Sequence, residues 1–287
     1  MPEKLISDDM LCTAKLCGNV VEIKYCSMVN THPVMRMLDG DHMVDTRDGC
    51  VIDIKHADSR ADSLKEVRRS LARLRELINT NCSEPSRIRW LTLTYAENMR
   101  DLCRLHDDFK RFIQRLRRKY GACEYISAIE PQMRGAWHIH AILIYPDKAP
   151  FLLNSTVAQM WGQGFIRVTA VDEIDNLGAY LSAYLADYLP SDLDDGGSGS
   201  CSAAQDGNNS KRAVKGMRLH MYPPNTNIYR CSKGIKDPEL VHARAVDIKN
   251  EYARDAALTY SKQVEVPLSD DTSVTVITEY YNTRRKA

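Results

Sequence analysis

Apolar residues at Leu64, Val67, Leu71, Leu74, Leu77 and Ile78 recur at the three-and-four spacing of one helical face, so the chain predicts an amphipathic helix over 62–78 with Asp62 or Ser63 as N-cap. A second stripe, Phe109, Phe112, Ile113, Leu116 and Tyr120, predicts a helix over 107–120. A third, Leu177, Leu181, Leu185 and Leu189, predicts one over 176–189. Between them lie β-compatible runs at 87–95, 124–130, 137–145 and 164–171; the middle two, separated by Pro131 and Gly135, read as a hairpin. Shorter runs stand at 20–25 and 51–56, and 260–281 reads as a C-terminal hairpin turning at 269–272. The tract 191–210 is Gly, Ser, Asn and Asp with little to bury, so it is expected to be a flexible loop or linker. The organisation expected is an N-terminal region, 1–60, of unassigned role, a core over 61–190, the linker, and a segment over 211–287 packed on the core. The class is α+β, a central antiparallel sheet with flanking helices.

Composition narrows the class without changing it. With 287 residues, 44% hydrophobic and 27% charged, the chain can bury a sizeable core, which excludes wholesale disorder and fibrous architectures. No apolar run has the length of a membrane span, and the opening MPEKLISDDMLC has neither a basic n-region nor an apolar h-region, so a cytoplasmic protein without a membrane partner is expected. Nine cysteines at scattered spacing form no even disulfide framework and are expected to be reduced, buried small hydrophobes. The net charge of +1 conceals local asymmetry: Arg100 to Tyr120 holds eight Lys or Arg against three Asp, and Lys211 to Lys236 holds seven with no acid. Helix 62–78 also has a basic face, Lys65, Arg68, Arg69, Arg73 and Arg75. Such faces are solvated by default and bind phosphate when a nucleic acid is the partner. Lys211, Arg212, Lys215 and Arg218 are the candidates for that contact; Tyr222 and Tyr229 can stack on unpaired bases or pack in a core.

The chemistry-bearing residues cluster. His138 and His140 are two apart in a strand pattern, so both imidazoles share one face. Glu130 ends the preceding strand, eight residues before His138, and an even-register hairpin brings its carboxylate to that face. Two imidazoles and one carboxylate with open positions suit a catalytic divalent ion acting as a Lewis acid. Tyr180 and Tyr184 are four apart, stacked on one helical face, and Tyr188 extends the stripe. A phenol with a pKa near 10 attacks a phosphodiester only where something polarises the phosphate, so metal site and tyrosines would complete each other.

With these motifs in hand, the chain resembles the HUH-superfamily rolling-circle replication initiators (Rep proteins) of bacterial plasmids, integrative elements and phages, over Arg87 to Leu189. Trp90-Leu-Thr-Leu-Thr-Tyr95 resembles the first family motif, Glu130 to His140 the metal-binding second, and Tyr180-Leu-Ser-Ala-Tyr184 the tyrosine motif, in that order. The resemblance implies an RRM-like sheet and a metal-dependent endonuclease and strand transferase using Mg²⁺ or Mn²⁺ at Glu130, His138 and His140. It implies Tyr180 and Tyr184 as nucleophiles forming a 5′-phosphotyrosyl link, and as partners single-stranded or hairpin origin DNA with the host helicase and replication machinery. One departure is Ala183, where many members carry Lys. The tyrosines follow the histidines, which favours an initiator over a conjugative relaxase or an HUH transposase. From another class, a non-catalytic RRM-like nucleic-acid binder would use the same sheet without needing Glu, two His and Tyr together.

Overall fold

A computed structural model of the chain describes residues 2–28, 34–171, 218–269 and 272–286. The helix expected over 176–189, the tract 191–210, and with them Tyr180, Tyr184, Tyr188, Lys211, Arg212 and Lys215 lie outside the described residues. In chain order the elements are β1 (Leu11–Cys17), β2 (Val20–Cys26), β3 (Met35–Met37), β4 (His42–Asp45), β5 (Val51–Asp53), α1 (Leu64–Asn81), β6 (Ile88–Thr94) and α2 (Leu102–Tyr120). There follow β7 (Glu124–Pro131), β8 (Trp137–Ile144), α3 (Asn154–Trp161), β9 (Ile166–Ala170), β10 (Tyr229–Cys231), β11 (Glu239–Arg244), α4 (Ala245–Tyr252), β12 (Ala256–Ser269) and β13 (Thr272–Lys286). This is the α+β class expected, with antiparallel sheets flanked by helices.

The sheet that holds the histidine pair runs β10-β7-β8-β6-β9, every neighbour antiparallel. Strand alternation splits it into two faces. Ile129, Ile139, Leu93 and Ile166 form one row of the apolar face, all buried. Here α2 packs, its Phe109 edge-on to Tyr125 at 5.2 Å and its Phe112 edge-on to Trp161 of α3 at 5.8 Å. Helix α2 begins at Leu102, five residues before the expected start, because Asp101 caps the amides of Cys103 and Arg104 and Leu105 joins the core. Helix α3 was not expected from the sequence; its eight residues have a weak stripe, and Val157 and Trp161 alone are buried. On the histidine-bearing side, Tyr229 and Cys231 pack against the same buried cluster to which α1 contributes Val67, Leu71, Leu74, Leu77 and Ile78.

Helix α1 starts at Leu64 with Ser63 at its N-cap position, one of the two residues expected there, although the Ser63 side chain makes no capping hydrogen bond; ahead of it Ser59 and Asp62 form a reciprocal capping box on the preceding 3₁₀ turn. Its second side meets another sheet, ordered β11-β1-β2-β13-β12, which joins the two ends of the chain. Lys15 pairs with Glu76 at 2.6 Å, Arg75 lies 5.6 Å from the Tyr280 ring, and the β1–β2 turn abuts the last helical turn. Gly18 makes that approach possible: at φ +59 its missing Cβ would sit 2.3 Å from the Asn79 carbonyl oxygen. The far face of this sheet buries Ala14, Ile23 and Ile277 against Ala245 and Ile248 of α4. Buried Glu279 accepts from the Leu5 and Ile6 amides and from the Tyr281 hydroxyl, so the carboxylate is fully bonded. Strands β3, β4 and β5 form a separate, small antiparallel sheet.

Candidate metal and nucleic-acid site

The register of β7, β8 and β6 decides what meets what. Glu130 lies directly opposite His138, and Ala128 opposite His140. On the other flank Thr94 lies opposite His138 and Thr92 opposite His140. Paired residues in antiparallel strands share a face, so Glu130, both histidines, Thr92 and Thr94 crowd one end of the sheet. The imidazole centroids stand 6.2 Å apart. His140 Nε2 is 3.0 Å from Glu130 Oε2, and its Nδ1 is 3.3 Å from the Thr92 hydroxyl, so both ring nitrogens are oriented. Trp90 lies one row further along, its ring 6.3 Å from that of His140.

His138 is different. Its Nε2 is buried without a hydrogen-bond partner. Burial, then neighbouring His140, drives its pKa down to about 4 against the pull of Glu130, with Arg134 and Arg218 adding to the fall. The ring is therefore neutral at pH 7 with an unused nitrogen, which is what ligation requires.

Glu130, with 8% of its side chain exposed, carries a second partner that the sequence did not reveal: Arg218 Nη1 lies 2.9 Å from Oε1 and also donates to the Pro131 carbonyl at 2.8 Å. Arg218 was expected to bind phosphate. Its guanidinium sits on the Glu130 carboxylate, delivered by a 3₁₀ turn at Leu219–Met221 that is anchored by Tyr222. Tyr222 is core, not a stacking platform: its hydroxyl donates to the Ile129 carbonyl at 2.7 Å and its ring packs on Trp137 at 5.3 Å. Burial raises its pKa well above the ordinary phenol value. Tyr229 is half-buried in β10.

Among the described residues no group of three His, Cys, Asp or Glu side chains closes on a common point, because Glu130 is turned to His140 and Arg218. The donor set nonetheless fits a divalent ion: one neutral imidazole with an orphan nitrogen, a second imidazole already in register, and a carboxylate on the same face. Residues 88–188 match the family model of the Replication-associated protein ORF2/G2P. That span contains the five motif residues Glu130, His138, His140, Tyr180 and Tyr184, and it begins at the first residue of β6. The match is consistent with a rolling-circle replication initiator. No curated protein and no solved structure matches the chain. No helix among the described residues is long and apolar enough to cross a membrane.

Among the described residues eight cysteines are free. Sequence reasoning missed Thr92, Arg134 and the Arg218–Glu130 pair. Thr92 was the most accessible of these, since an antiparallel partner for the H-x-H strand must bring some residue opposite each histidine.

Proposed function

We propose that the chain initiates rolling-circle replication by nicking and rejoining a single DNA strand. The observation that carries the reading is the register that sets Glu130 beside His138 and His140 on one sheet face, inside the span matched by a replication-associated family model. Glu130, His138 and His140 would hold Mg²⁺ or Mn²⁺, with the Thr92 hydroxyl orienting His140. A divalent ion bound there supplies Lewis-acid polarisation of the scissile phosphate. The hydroxyl of Tyr180 or Tyr184 loses its proton and attacks phosphorus, the bond to the 3′-oxygen breaks, and the products are a 5′-phosphotyrosyl ester and a free 3′-hydroxyl. Attack by a 3′-hydroxyl on that ester reverses the step and rejoins the strand without ATP. Tyr180 and Tyr184 are four apart in sequence, which in the helix expected from the pattern would be one turn, about 6 Å at 1.5 Å rise per residue, and would allow a second cleavage while the first remains esterified.

The test is incubation of the full chain with an origin-derived single-stranded oligonucleotide and Mn²⁺, followed by denaturing electrophoresis and peptide mapping. A covalent adduct at Tyr180 or Tyr184 is expected; it should vanish in EDTA and in the His138→Ala, His140→Ala double variant while the circular dichroism spectrum is kept. Retained cleavage in the double variant refutes the metal assignment. Tight binding without any adduct would favour a non-catalytic RRM-like binder, and an adduct with transfer-origin or transposon-end DNA a relaxase or transposase. Charge neutralisation of Lys211, Arg212 and Lys215 should weaken DNA binding and flatten its salt dependence.

A further inference from the structure

The register that builds the site continues past β6 to the sheet edge. Residues pairing across β6 and β9 place Thr92 opposite Arg167 and Trp90 opposite Thr169, and the ladder extends to Thr94, whose amide donates to the Phe165 carbonyl at 2.9 Å. Two rows therefore run across one face: Glu130, His138, Thr94, Phe165 and, beside it, His140, Thr92, Arg167. The next residue in the chain, Ile166, is turned to the opposite face and is 6% exposed, whereas Phe165 is 67% exposed. Two strand spacings separate Phe165 from His138, about 10 Å.

The backbone that presents Phe165 is held on three sides. Gly164 lies so close to the end of β6 that a Cβ there would be 2.4 Å from the Ala96 amide nitrogen and 2.6 Å from the Thr94 carbonyl oxygen. Ala96 donates to the Gln163 carbonyl at 2.9 Å, and the Trp161 indole donates to the Thr94 carbonyl at 2.9 Å. The same corner is gripped by Arg134, which donates to the Tyr95 carbonyl at 2.8 Å and whose charge reaches His138. The nearby Glu97 carboxylate is paired with Arg104 at 2.7 Å, so its negative charge is offset. An exposed aromatic on a fixed backbone with an exposed arginine beside it is what an unpaired base and its phosphate engage, through stacking and a charge contact respectively.

We infer that Phe165 is a stacking platform for a base flanking the scissile phosphate and that Arg167 contacts an adjoining phosphate, so that the single strand crosses β8, β6 and β9 toward the sheet edge. Both are positioning residues, and the inference rests on the single-strand reading above. The test is fluorescence anisotropy of the full chain with a 20-nucleotide oligo-dT and with an origin-derived strand, each across a salt series. Phe165→Ala should weaken binding about 5- to 150-fold with the salt slope unchanged, and Phe165→Trp should restore it while Phe165→Leu does not. Arg167→Gln should lower the slope of log affinity against log salt by about 0.7. Wild-type binding with neither substitution changing affinity or slope overturns the inference and leaves the proposed function standing. A wild-type chain that binds no single strand overturns both. A Phe165→Leu variant as strong as wild type overturns the stacking assignment.

Discussion

Removing the Arg218 guanidinium should expose how much the Glu130 carboxylate depends on it. Arg218→Met keeps most of the aliphatic stem and deletes the charge. In the wild type the pair is close, 2.9 Å, and secluded, with 16% of the arginine side chain and 8% of the glutamate side chain exposed. Breaking a buried ion pair from one side costs about 3–5 kcal/mol, because the abandoned charge stays desolvated. The His140 contact at 3.0 Å survives the substitution and offsets part of this, so the expected loss is about 2–3 kcal/mol, or roughly 5 °C in melting temperature. The assay is urea unfolding in EDTA of the wild type, Arg218→Met, Glu130→Gln and the double variant, with fluorescence and circular dichroism transitions required to coincide. The cycle should return a coupling of about 1–3 kcal/mol, the double variant being less destabilised than the sum of the singles. If Glu130 also holds a metal, Arg218 and the ion compete for one carboxylate. Mn²⁺ should then bind Arg218→Met more tightly than wild type by calorimetry and restore part of the lost stability. A single variant within about 0.5 kcal/mol of wild type, or an additive cycle, would refute the energetic role assigned to the pair.

Gly164→Ala should cost about 3 kcal/mol, since the new methyl meets β6 backbone rather than a yielding side chain, and hydrogen exchange should accelerate at the Thr94 amide that holds β9. His138 supplies a pH dependence: its pKa falls from 6.5 to about 4 on folding, so the unfolded chain takes up the proton first as the solution is acidified. Its contribution is complete above pH 6.5 and is lost as pH falls toward 4, by up to about 3 kcal/mol, less where solvent screens the ring; His138→Asn should flatten a urea-midpoint profile over that window. Thiol alkylation should divide the cysteines. Burial raises Cys17 and Cys231 to about 11 from the ordinary 9.0, leaving about 100-fold less thiolate at pH 8, so exposed Cys50 and Cys103 should label first by mass spectrometry; rapid labelling of Cys17 would contradict its seclusion.

Much of the site could be read from periodicity alone, and the reason is geometric. A strand has a side-chain period of two, so H-x-H commits both imidazoles to one face wherever the strand lies, and a hairpin with even register commits Glu130 to join them. The apolar stripes of α1 and α2 likewise fix which faces are buried, because a helix must turn its stripe to a core. The element class and the antiparallel sheet followed from these local rules. Boundaries at α2 and the existence of α3 did not: α3 is short and gains its stability from Trp161, whose value depends on Phe112 and Tyr95 at its sides.

What only the tertiary structure decided concerns contacts between residues far apart in the chain. Nothing in the pattern of 211–236 distinguishes an arginine that meets phosphate from one that meets a carboxylate 88 positions earlier, since both need only a positive charge. Seating Arg218 on Glu130 depends on Tyr222 locking its turn against β7 and β8. The first 60 residues offered two weak strand patterns and no function, because a strand's partners are not written in its own residues; β2 finds its neighbour in β13, more than 250 positions away, and β1 in β11. The row that carries Phe165 out from His138 is of the same kind. Its three strands are ordered by hydrogen bonds whose register the sequence constrains only to within the alternation of faces, and the burial of Leu93 and Ile166 selects among the registers that remain.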